Sequence, residues 1–321
     1  MHILHGHLSP QVEPDSRTLN LAGQSLVALP SALATAHALQ ALNVDRNQLS
    51  ALPDWIGNLA ELQSLSLYHN ALVALPEALW NLYRLRVLNV ADNRLFALSE
   101  RMAQLSQLQM LDVGHNALSA LPASIGALAH LQFLYASNNQ LTELPKSISS
   151  LTQLRYLNAT DNQLVTLPGG IGRLGRLIEL RLYNNRLVAL PDSIGELTAL
   201  LELHVMNNQL VGLPDVMGQL RHLRKLDLQS NPITQLPETI GNLVDLAELN
   251  LRFCHLHELP KTIQNLKQLR ALDLRANQFA HVPPELRALD KLEKLDLRWN
   301  KLQTLPSWFD ELTQRGCTVF V

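Results

Sequence analysis

The sequence has little cysteine, few aromatic residues and no long apolar run. Cys254 and Cys317 are the only cysteines among 321 residues, so a scaffold held by several disulfides is excluded. No apolar stretch reaches the roughly 20 residues of a membrane-spanning helix, so no membrane partner is expected. The 26 basic and 28 acidic residues give a net charge of −2 and form no basic cluster, so nucleic acid is not an expected partner.

A strict repeat dominates the sequence. A leucine recurs every 23 residues without a slip: Leu19, Leu42, Leu65, Leu88, Leu111, Leu134, Leu157, Leu180, Leu203, Leu226, Leu249, Leu272 and Leu295. A constant period of this length predicts a solenoid, in which each unit packs only on its neighbours. Since no linker interrupts the period, we predict one monomeric chain with a flank at 1–15, thirteen repeats over 16–314 and a closing segment at 315–321.

One repeat shows how each unit is organised. Residues 62–84 read LQSLSLYHNALVALPEALWNLYR. The opening L-x-x-L-x-L alternates apolar and other residues, which predicts a short strand. The Asn that follows can satisfy backbone groups where the strand turns away, because its amide both donates and accepts hydrogen bonds. After the Leu-Pro step, the remaining apolar spacing allows one or two helical turns.

The pattern L-x-x-L-x-L-x-x-N-x-L-x-x-L-P-x-x-I-x-x-L-x-x resembles the intracellular leucine-rich repeat proteins, especially the Ras-scaffold and plant Ras-group type and their bacterial counterparts. About nine tenths of the chain follows it. The resemblance implies an α/β solenoid curved into a horseshoe, with a parallel β-sheet on the concave face and short helical or extended segments on the convex face. Cys254 replaces the Asn, Ser99 the Pro and Phe279 a Leu, and only local effects are expected.

The cysteine content and the amino terminus both bear on the compartment. Extracellular members of the family usually close both ends with cysteine-rich caps, which two distant cysteines cannot form, so a reducing compartment is favoured. The amino-terminal residues have no basic start and no apolar stretch typical of a secretory signal. The cytoplasm is therefore the predicted location. Delivery into a host cell stays open, because a type III export signal has no dependable sequence signature.

The predicted function is a non-enzymatic protein–protein interaction module or scaffold that binds a protein partner on its concave face. No acid–base pair, metal-ligand spacing or phosphate loop stands out, so no catalytic residue, metal or cofactor is predicted. The alternative is a bacterial type III effector, or the recognition part of an effector ubiquitin ligase, since related repeat domains precede such a catalytic region. Only seven residues follow the last repeat here.

Two motifs invite a chemical interpretation that their context does not favour. Gly170, Gly172 and Gly175 spell G-x-G-x-x-G, but they follow Pro168 on the convex half of a repeat and do not join a strand to a long helix, as a nucleotide loop requires. The histidines at 2, 5 and 7 could gather a metal on a mobile end. An accidental cluster is favoured, because no carboxylate or thiol stands nearby to complete a site.

Large side chains concentrate between the fixed leucines of the fifth to ninth repeats. These positions point away from the core, so their side chains form one continuous concave surface. Tyr, Met and Arg are enriched at protein-binding surfaces, so we predict a partner-binding site there, called the central patch: Met110, Phe133, Tyr135, Tyr156, Arg181, Tyr183, His204 and Met206. The alternative is that the aromatic residues only stack on one another and modestly stabilise the sheet.

A second set of variable residues lies toward the carboxyl end. Three arginines share one column of the repeat, and Asp227, Asp273 and Asp296 share the column two residues earlier. The favoured interpretation is a mutually paired, solvated ladder that adds little stability. The other is a secondary docking site, called the C-terminal patch: Arg252, Phe253, Arg275, Arg298 and Trp299.

Overall fold

The computed structural model describes residues 17–321, in which one parallel sheet runs the length of the molecule. The flank predicted at 1–15 and its three histidines lie outside the described residues. Each strand is hydrogen-bonded to the next in chain order. The strands are β1 (Thr18–Asn20), β2 (Ala41–Asn43), β3 (Ser64–Ser66), β4 (Val87–Asn89), β5 (Met110–Asp112), β6 (Phe133–Tyr135), β7 (Tyr156–Asn158), β8 (Glu179–Arg181), β9 (Glu202–His204), β10 (Lys225–Asp227), β11 (Glu248–Asn250), β12 (Ala271–Asp273), β13 (Lys294–Asp296) and β14 (Thr318–Phe320).

Single helical turns form the opposite side of each coil. Most follow a proline in extended conformation, such as Pro191 with φ −71° and ψ 154°, because its ring fixes φ and the next residues can enter a turn. In residues 17–321 these are 3-10 helices at Ser31–Thr35, Asp54–Asn58, Glu77–Asn81, Glu100–Gln104, Ala123–Ala127, Lys146–Ser150, Ile171–Arg173, Asp192–Glu196, Asp215–Gln219, Glu238–Asn242, Lys261–Asn265 and Pro284–Ala288, and one α-helix, α1, at Phe309–Gln314. None of them is long and apolar enough to cross a membrane.

The strands pair without a shift, so residues 23 apart in sequence are neighbours in space. Leu65 on β3 aligns with Leu42 on β2 and with Leu88 on β4. The central leucine of each strand points into the core, while the residues before and after it lie on the concave face. The parallel sheet of an unclosed solenoid, predicted from the repeat, is confirmed.

The repeated leucines fill one continuous core between the sheet and the convex turns. In the repeat at 62–84, Leu65, Leu67, Leu72 and Leu79 are all fully buried, and the same cluster extends to both ends of the described chain. Each coil therefore hides its apolar edges against the coils on either side. Stability in such a stack depends on neighbouring repeats rather than on any repeat alone.

The repeated asparagines satisfy backbone groups, as the sequence predicts. Asn93 donates from Nδ2 to the carbonyl oxygens of Leu67, Val90 and Ala91 at 3.0–3.2 Å, and its Oδ1 accepts from the backbone N–H of Leu72 at 3.0 Å. One amide thus joins two coils where the strand ends. Since buried backbone groups are costly to leave unpaired, this column is structural.

The three departures from the repeat have local effects only. Cys254, in the asparagine column, points its thiol at the carbonyl oxygen of Leu228, 3.6 Å away, and burial raises its pKa to about 12. Ser99 takes the place of proline at the start of its 3-10 helix, where its hydroxyl accepts from the Arg101 N–H at 3.2 Å. Phe279 is fully buried in the position of a leucine.

The residues at 315–321 contribute the last strand of the sheet. In β14, Val319 aligns with Leu295 of β13. Cys317, just before β14, is buried, as is Leu312 of α1. These apolar side chains cover the edge that the final repeat would otherwise expose, which is the role of a capping element in a repeat protein.

The G-x-G-x-x-G sequence is explained by packing between coils. A Cβ atom at Gly172 would overlap the backbone oxygen of Ser193 and lie 2.7 Å from the Cβ of Glu196, whereas a Cβ at Gly175 would meet no atom within 4 Å. Gly172 therefore permits the close approach of two convex turns, and Gly175 has no such constraint.

Gly172→Ala is accordingly expected to lower the free energy of unfolding by about 1–3 kcal/mol, because the added methyl group forces two coils apart. Gly175→Ala, from the same motif, serves as the matched control and should leave stability unchanged. Urea denaturation of both variants measures the difference. Equal effects of the two substitutions would refute the packing explanation.

Candidate functional site

The concave face is built from four columns of variable residues. We count positions from the first leucine of a repeat, which is Leu62 in the repeat at 62–84. The third and fifth positions flank the buried central leucine of each strand, and the seventh and eighth follow the strand. Since register keeps equal positions side by side, each column is a row of neighbouring side chains about 4.8 Å apart.

Neighbouring side chains of the central patch make aromatic and cation–π contacts. Phe133 aligns with Met110 on one side and with Tyr156 on the other. The ring planes of Tyr135 and Tyr156 are tilted by 39° to each other, and their centroids are 4.9 Å apart. This distance lies in the range that aromatic pairs prefer. The guanidinium of Arg181 lies 5.6 Å from the centroid of the Tyr156 ring, within the range of a cation–π interaction.

Members of the central patch differ in solvent exposure. Phe133 is 36% exposed, and Met110, Tyr156, Tyr183 and Met206 are half-buried. His204 is only 8% exposed, so it lies beneath the surface that the larger residues present. Tyr135 and Tyr156 do stack on each other, as the alternative interpretation predicts. The stacked rings still leave an aromatic surface that a partner could contact.

Burial raises the pKa of both stacked tyrosines above its ordinary value. It raises the pKa of Tyr135, and the nearby carboxylates of Asp112 and Glu179 raise it further. Burial also raises the pKa of Tyr156, against the opposing effect of Arg181. A phenol is protonated at neutral pH even at its ordinary pKa of about 10, so each tyrosine can donate as well as accept a hydrogen bond.

Sequence reasoning missed two carboxylates beside the central patch. Glu179 and Glu202 are aligned neighbours in the third column. Glu202 lies 3.0 Å from Nε2 of His204, and Glu179 lies 3.9 Å from the same nitrogen. Arg181 also donates to Glu179. The sequence did contain a signal for this contact: the two glutamates are 23 residues apart, which places them side by side on neighbouring strands.

The eighth column carries a hydrogen-bonded row that sequence reasoning also missed. Asn207 donates to Asn184, and Asn184 donates to Asp161, both at 2.7 Å. All three residues have positive φ, between 53° and 55°, a conformation in which Asn and Asp are enriched. This row borders the central patch with exposed polar groups.

Two arginines of the C-terminal patch pair with aspartates, as the ladder interpretation predicts, but the third does not, and the ladder is not solvated throughout. Arg275 pairs with Asp273 and lies 3.3 Å from Asp296, and Arg298 donates to Asp296 at 2.6 Å. Asp296 is 1% exposed. Burial acts to raise its pKa, but hydrogen bonds from Arg298 and the charge of Arg275 lower it on balance. Arg252 instead lies over the ring of Phe253, 4.6 Å from its centroid.

Phe253 and Trp299 form an exposed aromatic pair across an intervening coil. Their rings are stacked with centroids 6.1 Å apart, and the small side chain of Ala276 occupies the eighth position between them. They are 41% and 64% exposed. Their φ angles are +55° and +63°, a region that disfavours bulky side chains. The same positive φ recurs at the eighth position throughout the described repeats, so it is a property of the fold and not of these two residues.

A groove lies on the concave face next to the C-terminal patch. It has a volume of about 250 Å³ and exists because Ala271 stands in the third column between Glu248 and Lys294. Charged groups of both signs line it, including Lys225 and Asp273. Polar side chains of a partner could be accommodated there.

Exposed apolar side chains are also present outside the sheet. Val165, Val188 and Val211 share the twelfth position of successive repeats and are 44–65% exposed. The backbone N–H of Val188 donates to the carbonyl oxygen of Val165 at 3.3 Å, so this row lies where neighbouring coils are hydrogen-bonded.

The fold and the variable concave face define a repeat solenoid of a type common in protein–protein interaction modules. A family model described as a leucine-rich repeat region matches residues 73–154, 145–226 and 215–272. Two further leucine-rich repeat models match residues 37–95 and 291–312. The chain therefore belongs to the leucine-rich repeat family, whose members are generally non-enzymatic.

Solved structures support the same assignment. The leucine-rich repeat protein LIC12759 of Leptospira interrogans is 37% identical with a TM-score of 0.86, and the match covers 92% of this chain and 76% of that one. YopM of Yersinia enterocolitica is 27% identical with a TM-score of 0.66, over 91% and 62% of the two chains. The resemblance to bacterial members is confirmed. No protein of curated function matches the sequence significantly.

A plant peptide hormone receptor is similar over part of its length. RGFR1, whose structure was solved in complex with RGF2, is 26% identical with a TM-score of 0.68. The match covers 84% of this chain and 52% of the receptor. This chain thus spans about half of a related protein that binds a peptide ligand.

Proposed function

We propose that this protein is a non-enzymatic interaction module that binds one protein partner on its concave face, through the central patch. The observation that carries the proposal is the contiguous aromatic surface of Phe133, Tyr135 and Tyr156. Such surfaces are enriched at protein interfaces. Arg181, which also pairs with Glu179, extends this surface through its guanidinium beside the Tyr156 ring. The bordering polar row supplies a hydrophilic rim.

The core of the solenoid is complete without the residues of the central patch, which favours a binding role for them over a purely structural one. The leucine and asparagine columns already hold the coils together. Other repeats carry Ser, Asn or Thr at the same concave positions, such as Ser64, Asn158 and Thr160. The fold therefore does not need tyrosine at these places, and a partner is the better explanation for it.

Capture from the native source, followed by mapping of the contact, tests the proposal. The full chain serves as bait, the partner is identified by mass spectrometry, and hydrogen–deuterium exchange compares the free chain with the purified complex. Protection is expected on β5 to β9, within residues 110–206. Protection confined to the convex 3-10 helices would reject the concave site.

We further propose that the C-terminal patch is a second contact area, anchored by Phe253 and Trp299. Replacing both by Asn is expected to weaken partner binding by at least about tenfold, because exposed aromatic anchors carry much of an interface's energy. Stability should change by less than about 1 kcal/mol, since Asn tolerates positive φ and its gain offsets the lost ring stacking. Calorimetric titration and urea denaturation measure the two effects. Unaltered affinity would show that the pair lies outside the interface.

A cytoplasmic, monomeric protein is the setting we propose for this activity. Cys254 and Cys317 are both free and buried, as suits a reducing compartment. Denaturing thiol labelling of protein from its native source should find both cysteines free, and light scattering should give the mass of one chain. Oxidised cysteines or a dimer mass would count against this setting.

A further inference from the structure

Three potential metal ligands converge where β8 and β9 meet on the concave face. Glu179 occupies the third position of its repeat, and Glu202 and His204 occupy the third and fifth positions of the next. Nε2 of His204 lies 3.0 Å from Oε2 of Glu202 and 3.9 Å from Oε1 of Glu179. One donor atom from each residue can be chosen so that all three lie within 4.8 Å of one another.

Within the part of the chain that the structure describes, the two carboxylates at this point face only one guanidinium group. Aligned like charges on neighbouring strands repel each other, yet Glu179 and Glu202 are direct neighbours. The positive charge of Arg181 offsets the negative charge of Glu179. The next residue of the column, Lys225, lies 3.5 Å from Glu248 on its other side, so among the described residues it is not the cation that pairs with Glu202. Glu202 is left with the nine-tenths buried imidazole of His204 as its partner, and a bound cation would offset its charge.

We propose that Glu179, Glu202 and His204 bind a divalent transition-metal ion, with zinc as the best fit. Zinc lies about 2.0–2.2 Å from imidazole nitrogen and carboxylate oxygen, so its tetrahedral ligands are ~3.4 Å apart. Distances of 3.0 Å and 3.9 Å fall on either side of that value. An imidazole in the set favours zinc over magnesium or calcium, which prefer oxygen ligands alone. The fourth position is left for water.

Other histidines of the described chain do not match this arrangement. His222 lies 3.0 Å from Asp245, but both side chains are largely exposed and no third donor joins them. His69 and Asp92 are likewise an exposed pair. These pairs provide controls for nonspecific binding by a surface imidazole and carboxylate.

Zinc titration of the full chain tests the proposal, and it needs no partner. The protein is first freed of metal with a chelator, and calorimetry then follows the addition of zinc chloride. One ion per chain is expected at the concave site. His204→Asn and Glu202→Gln should each weaken its binding by at least about tenfold, because each removes or neutralises a ligand. Asn is native to the fifth column at Asn158, so the first variant should fold.

Control variants make the result decisive. His222→Gln should bind zinc at the concave site as the unmodified chain does, and so should a variant that combines His2→Gln, His5→Gln and His7→Gln. Cobalt substitution should give a visible spectrum without a thiolate charge-transfer band, since no cysteine takes part. The proposal is overturned if His204→Asn and Glu202→Gln both bind zinc normally, or if replacing the amino-terminal histidines abolishes binding.

Discussion

Asn185→Ala is expected to lower the free energy of unfolding by about 3 kcal/mol or more. The side chain is buried in the middle of the asparagine column. It donates to the carbonyl oxygens of Ala159, Leu182 and Tyr183, and it accepts from the backbone N–H of Leu164 at 2.9 Å. Alanine would leave these groups without partners in a place that water does not reach, and unpaired buried groups are more costly than a lost hydrogen bond alone.

The adjacent residue supplies a control for this prediction. Asn184→Ser removes hydrogen bonds only to the exposed side chains of Asp161 and Asn207, and Ser230 occupies the same position elsewhere with φ +56°. Its effect on the urea midpoint should be small. If the two variants were equally stable, the asparagine column would not be what joins the coils.

Most of the fold could be predicted because a single number, the 23-residue period, fixes several properties at once. It places Leu42, Leu65 and Leu88 in one buried row and assigns every variable position to a column. The asparagine column follows from chemistry as well as from spacing, since an amide is able to donate to carbonyl oxygens and accept from an N–H together. The convex turns were less well specified, because spacing alone does not distinguish 3-10 from α geometry.

The contacts within the candidate site could be predicted only in part. Columns identify aligned neighbours such as Phe133 and Tyr156. The contact between Tyr135 and Tyr156 is instead a diagonal one between the fifth and third positions of adjacent strands. Columns do not reveal which way a long side chain turns. The pairing of Lys225 with Glu248 instead of Glu202 depends on such a choice, and so does the stacking of Phe253 on Trp299 across Ala276. Each depends on side-chain rotamers, which the repeat does not fix.

Substitution of the three tyrosines of the central patch is expected to abolish partner binding. We choose Tyr135→Asn, Tyr156→Ser and Tyr183→Thr together, because other repeats carry these residues at the same positions: Asn158, Ser64 and Thr160. The variant should fold. Hot-spot aromatic residues each contribute about 2 kcal/mol or more, so loss of two of them from an interface would reduce affinity by at least ~100-fold.

Tyr83 offers the matched control, since it is 54% exposed and lies outside the sheet. Tyr83→Ser should retain full affinity for the partner that the unmodified chain captures. Circular dichroism and urea denaturation of the triple variant separate lost contacts from lost structure, because the leucine and asparagine columns are unchanged. If the folded triple variant bound the partner with unchanged affinity, the tyrosines would serve only to stack across the strands, and the binding surface would have to be sought elsewhere, first around Phe253 and Trp299.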